Sequence, residues 1–280
     1  MPELPEVETM RRGISPVVGC RIAKVKFPRC RLKPISVKPS RDQLRRQLPG
    51  CEIQSVDRIG KRIVLRLSSE RSMIIEPRMT GLVLLSDPPN SAHLRLGLRL
   101  ESETTPWLWF WDRRGLGTLQ LLSNQQLKIR LGPAHLGPDA LSISAKDLHE
   151  RLQASRREIK VALLDQKAIA GIGNLYASEI LHVAKIHPQQ RCDQLTKNQY
   201  KKIQIAIREV LNEAIHYEGS TLSDGTYRNA LNQTGSYQNH HRVYNLADQL
   251  CPRCKTQPIN RIVQAQRSTF FCDKCQNRRP

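Results

Sequence analysis

Residues 168–188 read AIAGIGNLYASEILHVAKIHP. Two glycines, Gly171 and Gly173, precede Asn174, and the residues that follow have the apolar spacing of an amphipathic helix. Because asparagine is a favoured N-cap residue and glycine permits a tight turn, the pattern predicts a helix that is capped by Asn174. A helix N-terminus behind a glycine turn can bind a phosphate group, but an ordinary helical corner explains the pattern equally well.

Helical spacing continues on both sides of this stretch. The apolar positions predict further helices over residues 144–154, 156–167 and 195–217, besides the one over 174–185. Residues 218–245 are rich in Gly, Ser, Thr, Asn and Gln, which predicts a long polar loop. Loops of that length usually have a function or are mobile.

Two Cys-x-x-Cys pairs, Cys251 with Cys254 and Cys272 with Cys275, follow this loop. Their spacing predicts one structural zinc ion that is held by four thiolates, in a closed site that performs no chemistry. A pair of disulfides or a coincidence is the alternative, and an intracellular chain seldom keeps disulfides. Residues 259–271 alternate as a strand pair and would present a basic hairpin to phosphates. The remaining cysteines are predicted to be small buried hydrophobic residues rather than ligands: Cys20, Cys30, Cys51 and Cys192.

The first half of the chain has a different periodicity. Residues 5–18 have helical spacing, so a short helix opens the chain. From residue 25 to 122, short apolar runs separated by Pro, Gly, Asn, Asp and Ser predict a mostly antiparallel sheet domain, either a sandwich or a barrel. Two Gly-Pro pairs within residues 132–142 mark the boundary between this domain and the helices.

Charge indicates the class of partner. The chain has 45 Lys and Arg against 25 Asp and Glu, a formal net charge of +20, which favours a polyanionic partner. Residues 1–100 carry 20 basic and 9 acidic side chains, and residues 181–280 carry 15 and 7, so both ends of the chain are basic. Two domains that each contact one anionic ligand would give this pattern, and solvated surface charge is the alternative.

Two further observations limit the function classes. Aromatic residues make up only 5% of the chain, which is low for stacking on single-stranded bases and favours binding of duplex DNA through its backbone. The apolar runs are too short for membrane spans, and the first residues lack the pattern of a signal peptide. The sequence therefore predicts an intracellular protein without membrane association. We also expect a monomer.

The opening residues, MPELPEVETMRRGI, resemble the N-terminal signature of the bacterial formamidopyrimidine-DNA glycosylases, base-excision repair enzymes for oxidised purines. The resemblance continues, in chain order, through Gly60-Lys61-Arg62, Arg78–Gly81, Asp112–Gly117, Ala170–Glu179, Ile186-His187-Pro188, and Gln266–Phe270 with the four cysteines. It implies an α+β fold with four parts. These are an antiparallel β-sandwich domain with an N-terminal helix over 1–132, a linker over 133–143, a helix-two-turn-helix domain with a lesion-capping loop over 144–245, and a zinc finger over 246–280.

The resemblance also implies a reaction. Met1 would be removed, and the secondary amine of Pro2 would attack C1′ of the damaged nucleotide, so that loss of the base is followed by β,δ-elimination through a Schiff base. Glu3 would be the general acid and base, with Glu6 a second carboxylate near the site, and Lys61 would contact the phosphate beside the lesion. Without the resemblance, the two glutamates would be interpreted as favourable charges at a helix N-terminus and the lysine as surface charge.

Further residues are implied to bind DNA. Asn174 and Arg267 would hold the phosphates that flank the flipped nucleotide, and Arg267 is also counted with the catalytic residues. Lys160 and Tyr176 are also implied to contact DNA.

Three more residues, Met79, Arg114 and Leu116, would fill the space that the extruded base leaves in the stack, although core packing is the alternative for Met79 and Leu116. The chain departs from the family pattern here. In most members residue 115 is basic and residue 116 is Phe, whereas this chain has Gly115 and Leu116. Glu76 stands where many members have His. These departures change the expected geometry of the wedge and leave the catalytic residues unaffected.

The expected protein is a cytoplasmic bifunctional glycosylase and lyase that removes 8-oxoguanine and formamidopyrimidines from duplex DNA and needs one zinc ion. One alternative is the related endonuclease VIII type, which acts on oxidised pyrimidines. Leu4 favours the first interpretation because the endonuclease VIII group usually has Gly there. A zinc-finger protein that binds DNA without cutting it is a further alternative, which the presence of Pro2, Glu3 and Lys61 disfavours.

Overall fold

The computed structural model describes residues 2–278, which group into two compact units. The first unit contains the residues up to Gly132 together with Tyr217–Gln238, and the second contains Pro133–His216 and the residues from Asn239 onward. The family resemblance implies that residues 218–245 belong to the same domain as the preceding helices. The structure places most of this loop in the first unit, where Leu85 N donates a 2.9 Å hydrogen bond to Ala230 O.

The first unit is an antiparallel β-sandwich with a helix at its start. Its elements are α1 (Leu4–Gly13), β1 (Ile22–Lys26), β2 (Ser36–Lys38), α2 (Arg41–Gln47), β3 (Ile53–Ile59), β4 (Arg62–Leu67), β5 (Arg71–Glu76), β6 (Gly81–Leu84), β7 (Leu94–Leu100), β8 (Trp107–Asp112), β9 (Thr118–Ser123) and α3 (Asn124–Leu131). Four strands form one sheet in the order β1-β7-β8-β6, and five form the other in the order β2-β9-β5-β4-β3. Adjacent strands are antiparallel except for β2 and β9.

The core of this unit lies between the two sheets. Inward residues such as Ile63 and Ile75 from one sheet and Phe110 from the other belong to one buried cluster, to which α1 contributes Val7 and Met10. Burying this apolar surface stabilises the sandwich and fixes the position of α1. The fold that the resemblance implied is therefore confirmed for this unit.

Two short helices of the first unit were missed from the sequence. Both α2 and α3 begin with a capping box, Ser40 with Gln43 and Ser123 with Gln126. A Ser-x-x-Gln pattern is a recognisable signal for a helix N-terminus. Both helices are too short for an apolar periodicity to predict them.

The second unit contains the predicted helices and hairpin. They are α4 (Ala145–Leu152), α5 (Ile159–Leu163), α6 (Asn174–Ala184), α7 (Lys197–His216), β10 (Asn260–Gln264) and β11 (Arg267–Phe271). The two strands pair antiparallel around Ala265 and Gln266, whose φ angles of 45° and 60° are typical of a type I′ turn. Within residues 2–278, the helices are too short or too polar to cross a bilayer.

The four cysteines outside the finger differ in burial. Cys51 and Cys192 are buried, as predicted, whereas Cys20 and Cys30 are only partly buried. Cys30 lies in a surface segment, where its Sγ is 2.9 Å from Nη1 of Arg95. The prediction was wrong for these two because nothing in their local pattern distinguishes a core position from a loop position.

Candidate active site and nucleic-acid interface

The two N-terminal carboxylates lie together at the start of α1. Glu3 is the N-cap residue of the helix, and its backbone N donates a 2.9 Å hydrogen bond to Oε2 of Glu6. Both side chains are almost fully buried, and so is Pro2 before them. The implied removal of Met1 concerns a residue outside the described part of the chain. The structure thus brings the proposed nucleophile and both carboxylates into one turn.

Glu6 also binds the segment 217–238. Its Oε1 accepts a 2.9 Å hydrogen bond from the backbone N of Ser220. Gly219 has a φ of +78°, and a Cβ at this position would lie 2.9 Å from that same oxygen, so the close approach requires glycine. Tyr227 donates a 2.9 Å hydrogen bond to Glu218 O, and burial raises the pKa of its phenol well above the usual value. Glu6 therefore positions this loop against the start of α1.

A buried arginine joins α1 to the turn that contains Lys61. Arg58 donates to Oε2 of Glu8 at 3.0 Å and to the carbonyl of Gly60 at 3.0 Å, and its side chain is 9% exposed. Burial raises the pKa of Glu8, but hydrogen bonds from its arginine partners outweigh this effect and lower the pKa overall. Lys61 itself is half-buried in the turn between β3 and β4. Helix α1 and the turn that contains Lys61 are thus fixed to one another.

The two loops that contain the predicted wedge residues are tied together by a buried carboxylate. Asp112 is fully buried, and it accepts hydrogen bonds from the hydroxyl of Thr80 at 2.5 Å and from the backbone N of Gly117 at 2.8 Å. The backbone N of Arg114 donates to the Thr80 hydroxyl at 3.0 Å. Met79 precedes this threonine and Leu116 precedes this glycine, so the structure brings the three predicted wedge residues to one pair of loops.

The departure at residue 115 has a structural reason. Gly115 has a φ of +63°, and a Cβ there would lie 2.1 Å from the carbonyl oxygen of Lys33. The buried guanidinium of Arg95 fixes this contact because it donates to Lys33 O at 3.0 Å and to Asp112 O at 2.9 Å. A basic side chain at residue 115 would therefore require the Lys33 segment to move. Arg95 was not recognised in the sequence because no motif marks it.

In the second unit, Asn174 lies at the start of α6 but does not cap it. Gly173 is the N-cap residue, and the predicted cap was wrong because the Asn174 side chain bonds elsewhere. Its Nδ2 donates to Ser268 O at 3.0 Å, and its Oδ1 accepts from Nζ of Lys160 at 2.6 Å. The side chain thus links the helix N-terminus to the β10–β11 hairpin.

Lys160 and Tyr176, two predicted DNA contacts, are both fully buried. Besides Asn174, the Lys160 ammonium donates to Thr269 Oγ1 at 2.7 Å and to Ser268 O at 3.1 Å. Such charge-assisted bonds to three oxygens hold the hairpin against α5 and α6. Arg267 is exposed at the start of β11, on the same hairpin.

The four cysteine thiols of the finger form one cluster. Their sulfur atoms all lie within 4.8 Å of one another, with Cys251 to Cys275 at 3.8 Å and Cys254 to Cys272 at 3.7 Å. Tetrahedral zinc with Zn–S bonds of about 2.3 Å places sulfur atoms about 3.8 Å apart, so these donors fit the ion. The cluster confirms the predicted site for one structural zinc ion.

Comparison with known proteins agrees with this arrangement. Residues 1–119, 136–226 and 248–278 match three family models, described as formamidopyrimidine-DNA glycosylase N-terminal domain, formamidopyrimidine-DNA glycosylase H2TH domain, and zinc finger found in FPG and IleRS. The formamidopyrimidine-DNA glycosylase of Chloroflexus aurantiacus is 40% identical over 282 residues, which cover 99% of this chain and 98% of that protein. The chain belongs to the formamidopyrimidine-DNA glycosylase family.

Other members of the formamidopyrimidine-DNA glycosylase family are similar over the same length. The protein of that name from Streptococcus mutans is 36% identical and covers 99% of this chain. A structure described as a complex between Lactococcus lactis Fpg and an abasic-site-containing DNA is 33% identical, with a TM-score of 0.87 and coverage of 99% of this chain and 100% of that one. Membership confirms the α+β fold and the four-cysteine finger.

Proposed function

We propose that the protein removes oxidised purines, such as 8-oxoguanine and formamidopyrimidines, from duplex DNA and then cleaves the strand at the abasic site. The observation that carries this proposal is the turn in which Pro2, Glu3 and Glu6 lie together, beside the segment that Glu6 holds. Structures described as Lactococcus lactis Fpg with Fapy-dG-containing and abasic-site-containing DNA support the class of substrate.

The nucleophile is the amine of Pro2 once Met1 has been removed. A model α-amine has a pKa of about 7.7–8.0 against about 10.4 for lysine, so more of it is unprotonated at neutral pH. Its nitrogen forms a bond to C1′ of the sugar as the bond from C1′ to the damaged base breaks. The nitrogen then loses its proton, and the C1′–O4′ bond breaks as the ring oxygen takes up a proton, which leaves an iminium at C1′. This cation acidifies the C2′ hydrogen, so the 3′ phosphate and then the 5′ phosphate are eliminated.

The carboxylates and Lys61 assist these steps in different ways. Glu3 donates and accepts protons at the sugar ring oxygen or the leaving base. Glu6 acts through position, because it holds the backbone of both Glu3 and Ser220. Lys61 contacts the phosphate beside the lesion and favours its departure during elimination.

Binding depends on groups in both units. Asn174 and Arg267 contact phosphates next to the flipped nucleotide. Lys160 bonds to the Asn174 side chain and to the hairpin that carries Arg267. The space left by the extruded base is occupied by Met79, Arg114 and Leu116. Extrusion of that base from the stack costs about a few kcal/mol.

Zinc would be held by the four thiols of the finger and would supply structural stability rather than chemistry. The protein is proposed to act as a cytoplasmic monomer.

Strand cleavage tests this proposal. The zinc-loaded protein is incubated with end-labelled duplexes that contain 8-oxoguanine, thymine glycol or an undamaged base, and the products are separated on a denaturing gel. We expect cleavage at 8-oxoguanine with phosphate at both ends of the gap, which is the product of β,δ-elimination. Faster cleavage at thymine glycol would favour the endonuclease VIII type, and binding without cleavage would favour the non-enzymatic alternative. The comparison is needed because wild-type Lactococcus lactis Fpg is also described in complex with an oxidised pyrimidine-containing DNA.

A further inference from the structure

The outer face of the five-stranded sheet carries a small pocket beside α3. Residues that alternate with the core positions of β4, β5 and β9 point away from the sandwich, and α3 packs over part of them through Leu127 and Leu131. Next to this contact is a cavity of about 290 Å³. Its polar lining consists of Arg62, Glu76, Arg78, Gln120 and Arg130.

Three guanidinium groups and one carboxylate line this pocket, and two of the guanidiniums pair with the carboxylate. Glu76 is 8% exposed, and its Oε1 lies 3.2 Å from Nη2 of Arg62 and 3.1 Å from Nε of Arg78. Arg130 donates to Oε1 of Gln120 at 2.7 Å. A guanidinium has five N–H donors, so each arginine keeps donors for a further acceptor. The pocket therefore has an excess of positive charge and of donors.

The backbone of Arg78 is held in an unusual conformation. Its φ of 56° lies in the left-handed region, which is unfavourable for a residue that has a Cβ. Such residues cluster at functional sites, where the surrounding structure maintains them. The ion pair with Glu76 keeps the Arg78 side chain turned toward the pocket.

We propose that this pocket binds a phosphate group through Arg62, Arg78 and Arg130, while Glu76 holds two of the three guanidiniums in place. Arginine matches the planar oxygen pairs of phosphate, and the volume lies at the lower limit for a drug-sized ligand, which favours a small anion. Arg62 follows Lys61 and Arg78 precedes Met79 in the chain. If the proposed function holds, a backbone phosphate of the bound duplex is the source of this group. Free phosphate is the other source.

The salt dependence of duplex binding tests the first source. Fluorescence anisotropy gives the affinity of the zinc-loaded wild type and of Arg130→Gln for a labelled duplex with an abasic-site analogue, over a series of salt concentrations. Each lost phosphate contact lowers the slope of log K against log salt by about 0.9, so we expect that decrease for Arg130→Gln. Lys128→Gln is the matched control, because it removes the same charge from an exposed position of α3 that lines a different groove.

Isothermal titration with inorganic pyrophosphate tests the second source. Binding to the wild type and to Lys128→Gln, with loss of binding in Arg130→Gln, would show that the pocket takes a free anion. If Arg130→Gln matches Lys128→Gln in both the salt slope and the titration, the phosphate pocket is overturned. Trapping of the wild type on DNA with borohydride is measured in parallel. Pyrophosphate binding without a trapped adduct would overturn the proposed function and leave the pocket standing.

Discussion

Arg58 joins the two proposed catalytic elements of the first unit. It contacts Glu8 of α1 and the carbonyl of Gly60, next to Lys61, and its side chain is buried. A group that fixes two reacting elements contributes to the rate without touching substrate, since a displacement of about 1 Å can cost up to about a hundredfold. We therefore expect Arg58 and Glu8 to act as positioning residues for the proposed reaction.

Replacement of this arginine tests that role. We expect Arg58→Met to slow borohydride trapping by about tenfold or more, because the turn with Lys61 is no longer held to α1. Arg66→Met is the control, since Arg66 is paired with the more exposed Asp57 on the neighbouring strand. Single-turnover trapping with saturating protein measures the rate apart from binding. Equal rates for the two variants would contradict a positioning role.

The ion pairs of Glu8 predict a dependence of stability on acid pH. Its pKa in the folded protein is lower than the ordinary 4.5, so it stabilises the fold above pH 4.5 and loses this contribution as the pH falls below that value. We expect Glu8→Gln to lower Tm by about 5 °C at neutral pH. Thermal unfolding over a pH series should show the difference from wild type shrinking in acid. A constant difference would contradict the assignment to the ionised carboxylate.

Among the elements of the first unit, the loop Asp112–Gly117 packs directly against the segment around Lys33. The carbonyl of Lys33 lies where a Cβ of residue 115 would be, and Arg95 bonds to both segments. A side chain at residue 115 would therefore disturb the loop that contains Arg114 and Leu116. Glycine at residue 115 leaves room for the carbonyl of Lys33.

We expect Gly115→Ala to destabilise the first unit by about 1–3 kcal/mol more than a matched control does, because overpacking adds to the cost of a positive φ. Gly50→Ala is that control, since Gly50 also has a positive φ, of +84°, but has nothing within 4 Å of the added Cβ. Urea unfolding measures both variants. If the two substitutions cost the same, the contact with Lys33 does not restrict residue 115.

Periodicity predicted the main elements because long amphipathic patterns are local. It found α6 and α7 and the hairpin of the finger, whose bounds agree within a few residues. It placed the α6 cap on Asn174, since a sequence cannot show that Lys160 and the hairpin compete for that side chain. The buried ammonium of Lys160 depends on contacts with Ser268 and Thr269, more than a hundred residues away.

For the whole molecule, the resemblance of short motifs to a known family predicted more about the function than the composition did. Charge and the cysteine spacing predicted a zinc-containing polyanion binder, and only the opening residues pointed to an amine nucleophile. Residues 217–238 belong to the first unit because of long-range contacts such as that of Ser220 with Glu6. A local sequence pattern cannot predict such contacts.

Removal of zinc should affect the stability of the two units differently. We expect Cys272→Ser or a strong chelator to unfold the finger and abolish duplex binding, while the first unit stays folded. The three tryptophans of the chain all lie in β8 of the first unit, so their fluorescence reports on that unit alone. Cys20→Ser, which changes a cysteine outside the cluster, is the control. Retained DNA affinity after zinc loss would contradict the proposed role of the finger.

In the proposed reaction, the amine of residue 2 becomes covalently bound to the sugar of the damaged nucleotide. The most direct measurement is borohydride trapping on an 8-oxoguanine duplex, followed by proteolysis and mass spectrometry of the adduct. We expect the mature protein to begin at Pro2 and the reduced sugar to be attached to its nitrogen. An adduct on a lysine, or a reactive protein that keeps Met1, would contradict the claim.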